Sequence, residues 1–246
     1  MEPRTIDILE AAVREFIATG EPISSSLLFE RYDFGIRPAM IRHELCELTD
    51  EGYLEQPYHS SGRVPADKGY EFYAERALGH RSVYADRLER ELSAIFRAQS
   101  WPGLAAWISG ALHGLGVVYE EGAVHKEGLE RIFDRLELQD RAEIRQIIRD
   151  YESLDERFEK TVARIAEESA RTRENESGEP GERVDDSIGV FIGRDSPLTR
   201  SGQLMAIAGD YRNGDERVVI CLVGPKRLDY ERAATIFQAL QKVVNN

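Results

Sequence analysis

Three short amphipathic segments crowd into the first fifty residues, and no other feature limits the fold as tightly. Between Arg4 and Ala18 the apolar residues Ile6, Leu9, Val13, Phe16 and Ile17 recur at helical spacings, one stripe of an α-helix that Thr19-Gly20 stops. Ser24, Ser25 and Ser26 offer N-cap hydroxyls for a short second helix carrying Leu27, Leu28 and Tyr32, and Asp33 to Ile36 make a turn. Pro38 suits the first turn of a third helix whose inward stripe is Ile41, Leu45 and Leu48, with Gly52 ending it. Helices this short are stable only by burying their stripes on one another. The pattern therefore predicts a three-helix unit, a framework shared by proteins that bind DNA and proteins that do not.

The next segment narrows the choice. Tyr53 to Pro57 reads as a strand, His59-Ser60-Ser61-Gly62 as a polar turn and Arg63-Val64-Pro65 as the return strand, so a β-hairpin follows directly on the third helix. Asp67 then caps a helix that runs through Tyr70 and Tyr73 to Leu78. Residues 1–78 are thus expected to form a winged helix-turn-helix.

Beyond it, Leu88, Leu92, Ile95 and Phe96 mark one helix, and Trp101, Leu104, Trp107, Ile108 and Leu112 another. Gly114 to Lys126 is short, Gly-rich and ambiguous. From Asp140 to about Ala170, Ile144, Ile147, Tyr151, Leu154, Phe158 and Ile165 form a heptad-like seam broken by Thr161. Such a seam either packs the helix on its own domain or pairs two copies. The second alternative makes residues 79–174 a central helical dimerisation region. Residues 175–187 have the Gly, Pro and charge content of a linker. In 188–246, Ile188 to Gly193, Leu204 to Tyr211 and Val218 to Val223 read as strands, with Asn213-Gly214 turning a hairpin. Asp229 caps a last helix bearing Ala233, Ile236, Phe237, Leu240 and Val243. The fold class is α+β.

Composition excludes several functions. No run of 18 apolar residues occurs and the first residues lack the order of a signal peptide, which predicts a cytoplasmic protein. Cys46 and Cys221 have no second Cys or His at ligand spacing, so no metal and no disulfide are expected; both read as small packed side chains. The five histidines are scattered, and neither a P-loop nor a Gly-x-Ser-x-Gly elbow is present, so neither an enzyme nor a cofactor is expected. The net charge of −13 opposes contact with phosphates, and residues 1–80 carry 8 basic against 15 acidic groups. Any DNA-binding face must therefore come from a local cluster of cations.

Several short motifs carry a family resemblance. Gly20-Glu21-Pro22, Ile41-Arg42, Gly52-Tyr53-Leu54, Gly62-Arg63-Val64-Pro65 and Asp67-Lys68-Gly69-Tyr70 resemble the N-terminal winged helix of the HrcA family. Gly224-Pro225-Lys226-Arg227-Leu228-Asp229-Tyr230 looks like that family's closing Gly-Pro-x-Arg-x-x-Tyr signature. The resemblance implies a repressor of heat-shock (chaperone) genes that binds an inverted-repeat operator in double-stranded DNA as a homodimer, with a GroEL-type chaperonin as a further partner. It also implies a GAF-like C-terminal part. Because the chain is shorter than family members generally are, that part is read as a truncated GAF-like α/β sheet with its final helix. The sequence departs from the family pattern at Met40 and His43, at Tyr58-His59 and at Glu71.

On this reading the candidate DNA-binding residues are Arg37, Ala39, Met40, Arg42, His43 and Cys46 of the third helix, with His59, Ser60, Ser61, Arg63 and Lys68 around the hairpin. Arg42 either bonds guanine bidentately, touches a phosphate, or pairs with a carboxylate. Arg37 suits a phosphate, and His43 either donates to a base or is solvated. Arg63 and Lys68 suit backbone or minor-groove contact, where Ser60, Ser61 and Gly62 let the chain approach the duplex. Glu44, Glu47 and Glu51 are expected to face away. A competing reading is a ligand-sensing winged-helix regulator of unrelated genes, although 188–246 holds no recognisable ligand constellation.

Overall fold

The computed structural model describes residues 1–58, 61–79, 85–134, 136, 141–161, 188–213 and 216–244. They divide into two compact units, Met1–Ala77 with Arg227–Tyr230, and Leu78–Lys226 with Glu231–Asn246.

In the first unit, helix α1 (Pro3–Thr19) begins with proline in its first turn and ends at Gly20. Gly20 adopts φ 74°, a conformation glycine reaches without steric penalty, and its amide closes on Phe16 O at 2.8 Å. Helix α2 (Ser25–Arg31) opens on Ser24, whose Oγ accepts the Leu27 amide at 3.1 Å; of the three candidate serines this one is the cap. Helix α3 (Pro38–Asp50) buries Ile41, Leu45 and Leu48. Ile8, Leu9, Val13 and Leu28 meet that stripe in a shared core. Strands β1 (Leu54–Glu55) and β2 (Val64–Pro65) pair antiparallel, with Leu54 opposite Pro65. Ile23 adds a third, one-residue rung: its amide bonds Arg63 O at 2.8 Å and its carbonyl accepts the Arg63 amide at 2.7 Å. Helix α4 (Asp67–Gly79) follows.

The second unit contains helices α5 (Ala85–Arg97) and α6 (Trp101–Leu112), strands β3 (Leu115–Glu120) and β4 (Ala123–Glu127), and helices α7 (Leu129–Phe133) and α8 (Arg141–Glu152). Residues 154–161 form helix α9, separated from α8 by a turn at Ser153. Strands β5 (Ile188–Ile192), β6 (Leu204–Asn213) and β7 (Glu216–Pro225) and helix α10 (Tyr230–Val244) complete the order. The five strands make one antiparallel sheet in the order β4-β3-β7-β6-β5.

Two of those strands come from the stretch whose sequence is ambiguous. Val117, Val118 and Tyr119 favour extended backbone, and Glu121 and Gly122 turn the chain at φ 47° and 88°. Strand β3 thereby lies beside β7 near the middle of the sheet. The span 79–174 is therefore not helical throughout, and the sheet has two strands more than 188–246 alone supplies. Along β3 and β7, Leu115, Val117, Val219, Cys221 and Val223 point to one face, where Ile132, Ile147, Leu154 and Phe158 pack on them. Gly116 points to the other, where a Cβ would lie 2.1 Å from Ala105 O of α6; the helix sits on the sheet only because that position is glycine.

Of the two packings the stripe allows, the structure shows the first for Ile147, Leu154 and Phe158, which are buried against the sheet of their own unit with Tyr151 beside them. Ile144 is half-buried. Ile165 and the expected linker at 175–187 lie outside the described residues.

Candidate nucleic-acid interface

Helix α3 is amphipathic in charge as well as in hydropathy. Its first half exposes Arg37 at the N-cap, then Ala39, Met40, Arg42 and His43. Among the described residues neither Arg37 nor Arg42 has an ion pair. Glu44 does not share that face. It turns inward and is 6 % exposed, accepting Arg4 Nη2 at 3.1 Å and Thr5 Oγ1 at 2.7 Å from α1. A buried carboxylate needs such partners, and their presence removes a negative charge from the outer surface. Glu47 stays exposed one turn beyond His43, with Oε1 3.6 Å from His43 Nε2. Asp50 and Glu51 are exposed at the C-terminal end. The exposed cations of α3 thus precede its exposed anions, and the cationic end is also the positive end of the helix dipole.

The hairpin is fastened to this helix. Arg63 Nε donates to Thr49 Oγ1 at 2.8 Å and its Nη2 approaches Cys46 Sγ at 3.5 Å. Lys68 Nζ donates to Glu51 O at 2.9 Å and lies 3.9 Å from the centroid of the Tyr53 ring. Both cations expected to project from the hairpin are folded back onto the first unit, where they fix its angle to α3. Cys46 is half-buried beneath Arg63, with its thiol turned toward the hairpin.

Two glycines of the resembling motifs are explained by close approach. A Cβ on Gly62 would fall 2.4 Å from Ile23 O, inside the rung that joins Ile23 to Arg63. One on Gly69 would fall 2.2 Å from Tyr53 O. Backbone cannot retreat as a flexible side chain can, so glycine is required at both places. At the tip, Ser61 Oγ donates to Tyr58 O at 2.7 Å and accepts the Tyr58 amide at 3.0 Å, while Gln56 Nε2 donates to Ser61 O at 3.1 Å. Ser61 is half-buried, and Tyr58, a departure from the family pattern that is not among the candidate DNA-binding residues, stands 77 % exposed. His59 and Ser60 lie outside the described residues.

The last four residues of the closing signature, Arg227–Tyr230, belong to the first unit. Arg227 Nη2 donates to Ile17 O at 3.3 Å, satisfying a carbonyl in the last turn of α1, and its guanidinium lies 5.7 Å from the Phe16 ring centroid. The Tyr230 ring packs against those of Tyr70 and Tyr73, with centroids 6.4 and 6.0 Å away. Burial pushes the phenols of Tyr70 and Tyr230 above the ordinary tyrosine range.

In the second unit a buried carboxylate organises a loop. Asp150, 2 % exposed, accepts Arg157 Nη1 at 2.8 Å on one oxygen and the amides of Arg200 and Ser201, both at 2.9 Å, on the other. Beside it lies a cavity of ≈ 10 Å³ lined by apolar side chains such as Leu129, Ile147 and Val223. That is room for about one water molecule, not for a metabolite. Burial also raises the Cys221 thiol well above its usual range, keeping it a neutral packing group.

Comparison with known proteins adds sequence and fold relationships. The family model described as HrcA protein C terminal domain matches residues 75–234. The heat-inducible transcription repressor HrcA of Frankia casuarinae is 40 % identical over 90 residues, 37 % of this chain and 26 % of that protein. The protein of the same name from a Nocardioides species is 45 % identical over 75 residues, 30 % of this chain and 22 % of its own. The matched stretches thus cover about a quarter of the length of these curated relatives. A crystal structure described as that of a hypothetical protein superposes with a TM-score of 0.65 at 16 % identity, covering 99 % of this chain and 96 % of its own, and so shares its fold. No helix among the described residues is long and apolar enough to cross a membrane.

Proposed function

Because this chain belongs to the HrcA family, we propose that it is a transcription repressor of heat-shock (chaperone) genes, reading an inverted-repeat operator as a homodimer. Residues 1–78 are the winged helix-turn-helix in this reading: α3 is the recognition helix and β1–β2 the wing. The 79–246 remainder is a GAF-like module. The relatives just described are named as heat-inducible repressors, which supports the choice of target genes.

One observation carries the proposal. The outer face of α3 presents Arg37 and Arg42 without ion pairs among the described residues, while Glu44 is folded into the core. In a chain of net charge −13, a helix that hides an anion and leaves two cations unpartnered suits a polyanion. Arg42 bonds a base edge or a phosphate and Arg37 a phosphate, while the hairpin at Ser61 is laid along the backbone. His43, Cys46, His59, Ser60, Arg63 and Lys68 complete the candidate interface. Arg63 and Lys68 act chiefly by orienting the wing.

A single such unit spans few base pairs, so operator specificity calls for two related by a dyad. The pair is held through surfaces other than Ile147, Leu154 and Phe158. A GroEL-type chaperonin would keep the repressor in its binding conformation, and heat would relieve repression by withdrawing that support.

Genome-wide footprinting with the purified full chain tests the reading, together with sedimentation of the free protein. Protected inverted repeats upstream of chaperone operons and a dimer in solution are the expected results. A monomer that protects no promoter would overturn the proposal.

A further inference from the structure

Met40 is a large apolar side chain left 45 % exposed in the first turn of α3, next to Ala39, which is also exposed. Met1, Phe29, Tyr58 and Ile148 are likewise exposed among the described residues, but none of them lies on this helix. Residues three apart on a helix are neighbours, so Met40 shares a ridge with His43, and Ala39 with Arg42. Arg37 and Arg42 stand in the first half of α3, whereas Glu47, Asp50 and Glu51 stand in the second. Phosphates on either wall of a groove attract the first set and repel the second. The helix must therefore enter N-terminus first, with its C-terminal turn held away, which brings residues 39–43 deepest.

At that depth the chemistry of Ala39 and Met40 is selective. They can neither donate nor accept a strong hydrogen bond, so they cannot read the polar edges of guanine, cytosine or adenine. The C5 methyl of thymine is the one apolar group that a base presents in the major groove. We infer that Met40 reads thymine, burying its thioether side chain against the C5 methyl of one thymine in each half-site, with the Ala39 methyl alongside. This rests on the proposed placement of α3 in the major groove and adds to it the base that the helix selects.

The test begins with selection from a fully randomised duplex library by the full-length wild-type protein and, separately, by its Met40→Ala and Met40→Leu variants. The wild type and Met40→Leu should enrich an inverted repeat with a fixed thymine in each half, and Met40→Ala should enrich the repeat with that position relaxed. Titrations by fluorescence anisotropy then replace each selected thymine with deoxyuridine, which lacks only the methyl. The wild type should lose about fourfold in affinity at the critical thymine, and about fifteenfold when both half-sites are changed, the effect of exposing one methyl group at each. Met40→Ala should lose nothing further on the same change. Circular dichroism and the thermal midpoint should match the wild type, since the side chain lies outside the core. Equal affinity of the wild type for thymine and deoxyuridine duplexes at every position would refute the inference, as would an unchanged penalty in Met40→Ala. If no variant enriches any sequence, the DNA-binding reading fails first and takes this inference with it.

Discussion

Helix α3 and the helix pair α8–α9 carry similar patterns, an apolar stripe with charges on the remaining positions, yet they end in different circumstances. The α3 stripe of Ile41, Leu45 and Leu48 meets α1 and α2, and the opposite face keeps unpartnered arginines. The α8–α9 stripe meets the sheet of its own unit, where the buried Asp150 is bonded to Arg157, while Arg145 and Arg149 stay exposed on α8 without ion pairs among the described residues. A stripe shows that a helix packs but not on what. What sets α3 apart is the order of its charges, with exposed arginines ahead of exposed acids and Glu44 folded inward, and it is on this order that the proposed DNA contact rests.

The sharpest way to break this contrast is to cut into the α8–α9 stripe. Phe158→Ala should destabilise the second unit by about 3–5 kcal/mol in urea or thermal unfolding, as the loss of a buried aromatic does. If it instead gave a folded protein of near-normal stability that had merely lost its partner, the stripe would be an intermolecular seam after all.

Gly62→Ala should come next, at about 1–3 kcal/mol, because the new methyl group would force apart the Ile23–Arg63 rung. A fall in denaturant midpoint with loss of operator binding is the expected outcome. Arg63→Ala should lower stability by about 1 kcal/mol, the value of a partly buried hydrogen bond to Thr49, and weaken the proposed DNA binding through a misdirected hairpin. An Arg63 variant with full stability and much reduced affinity would show that the side chain touches DNA itself.

The smallest effect concerns the tyrosine cluster. Tyr70 and Tyr230 keep their protons in the folded state at pH values where the unfolded chain has released them. Unfolding then releases protons, and stability should decline as pH rises through about 10, the unfolded tyrosine value. Tyr70→Phe should flatten that decline in a series of thermal midpoints; an identical slope would count against burial of the phenol.

How far the chain could be read beforehand follows from the range of the forces involved. Helices α1 to α3, their stops and the Asn213–Glu216 closure of β6 and β7 obey local rules, proline in a first turn, glycine at an end, alternation along a strand, and the structure agrees with each. Strands β3 and β4 were ambiguous because the pairing of Val117 with Cys221 joins residues a hundred positions apart, which no periodicity reports. The partners of Ile147, Leu154 and Phe158 were hidden for the same reason. At the candidate interface helical geometry placed Ala39 and His43 outward, as found, but Arg42 only at the margin of the buried stripe and Cys46 outward, where it is half-buried under Arg63. The inward turn of Glu44 toward Arg4 and the attachment of Arg63 to Thr49 depend on contacts 40 and 14 residues apart. Tyr58 was marked only as a departure from the family pattern beside a polar turn, which says nothing of its exposure.

The claim at the centre is that the cationic end of α3 meets DNA. Anisotropy titrations of the full-length protein and its Arg42→Ala variant on a footprinted promoter fragment, repeated across a range of salt, test it most directly. Binding should weaken steeply as salt rises, and Arg42→Ala should cost about 1–3 kcal/mol of affinity with the thermal midpoint unchanged. Equal affinities for the two proteins at every salt concentration would contradict the account.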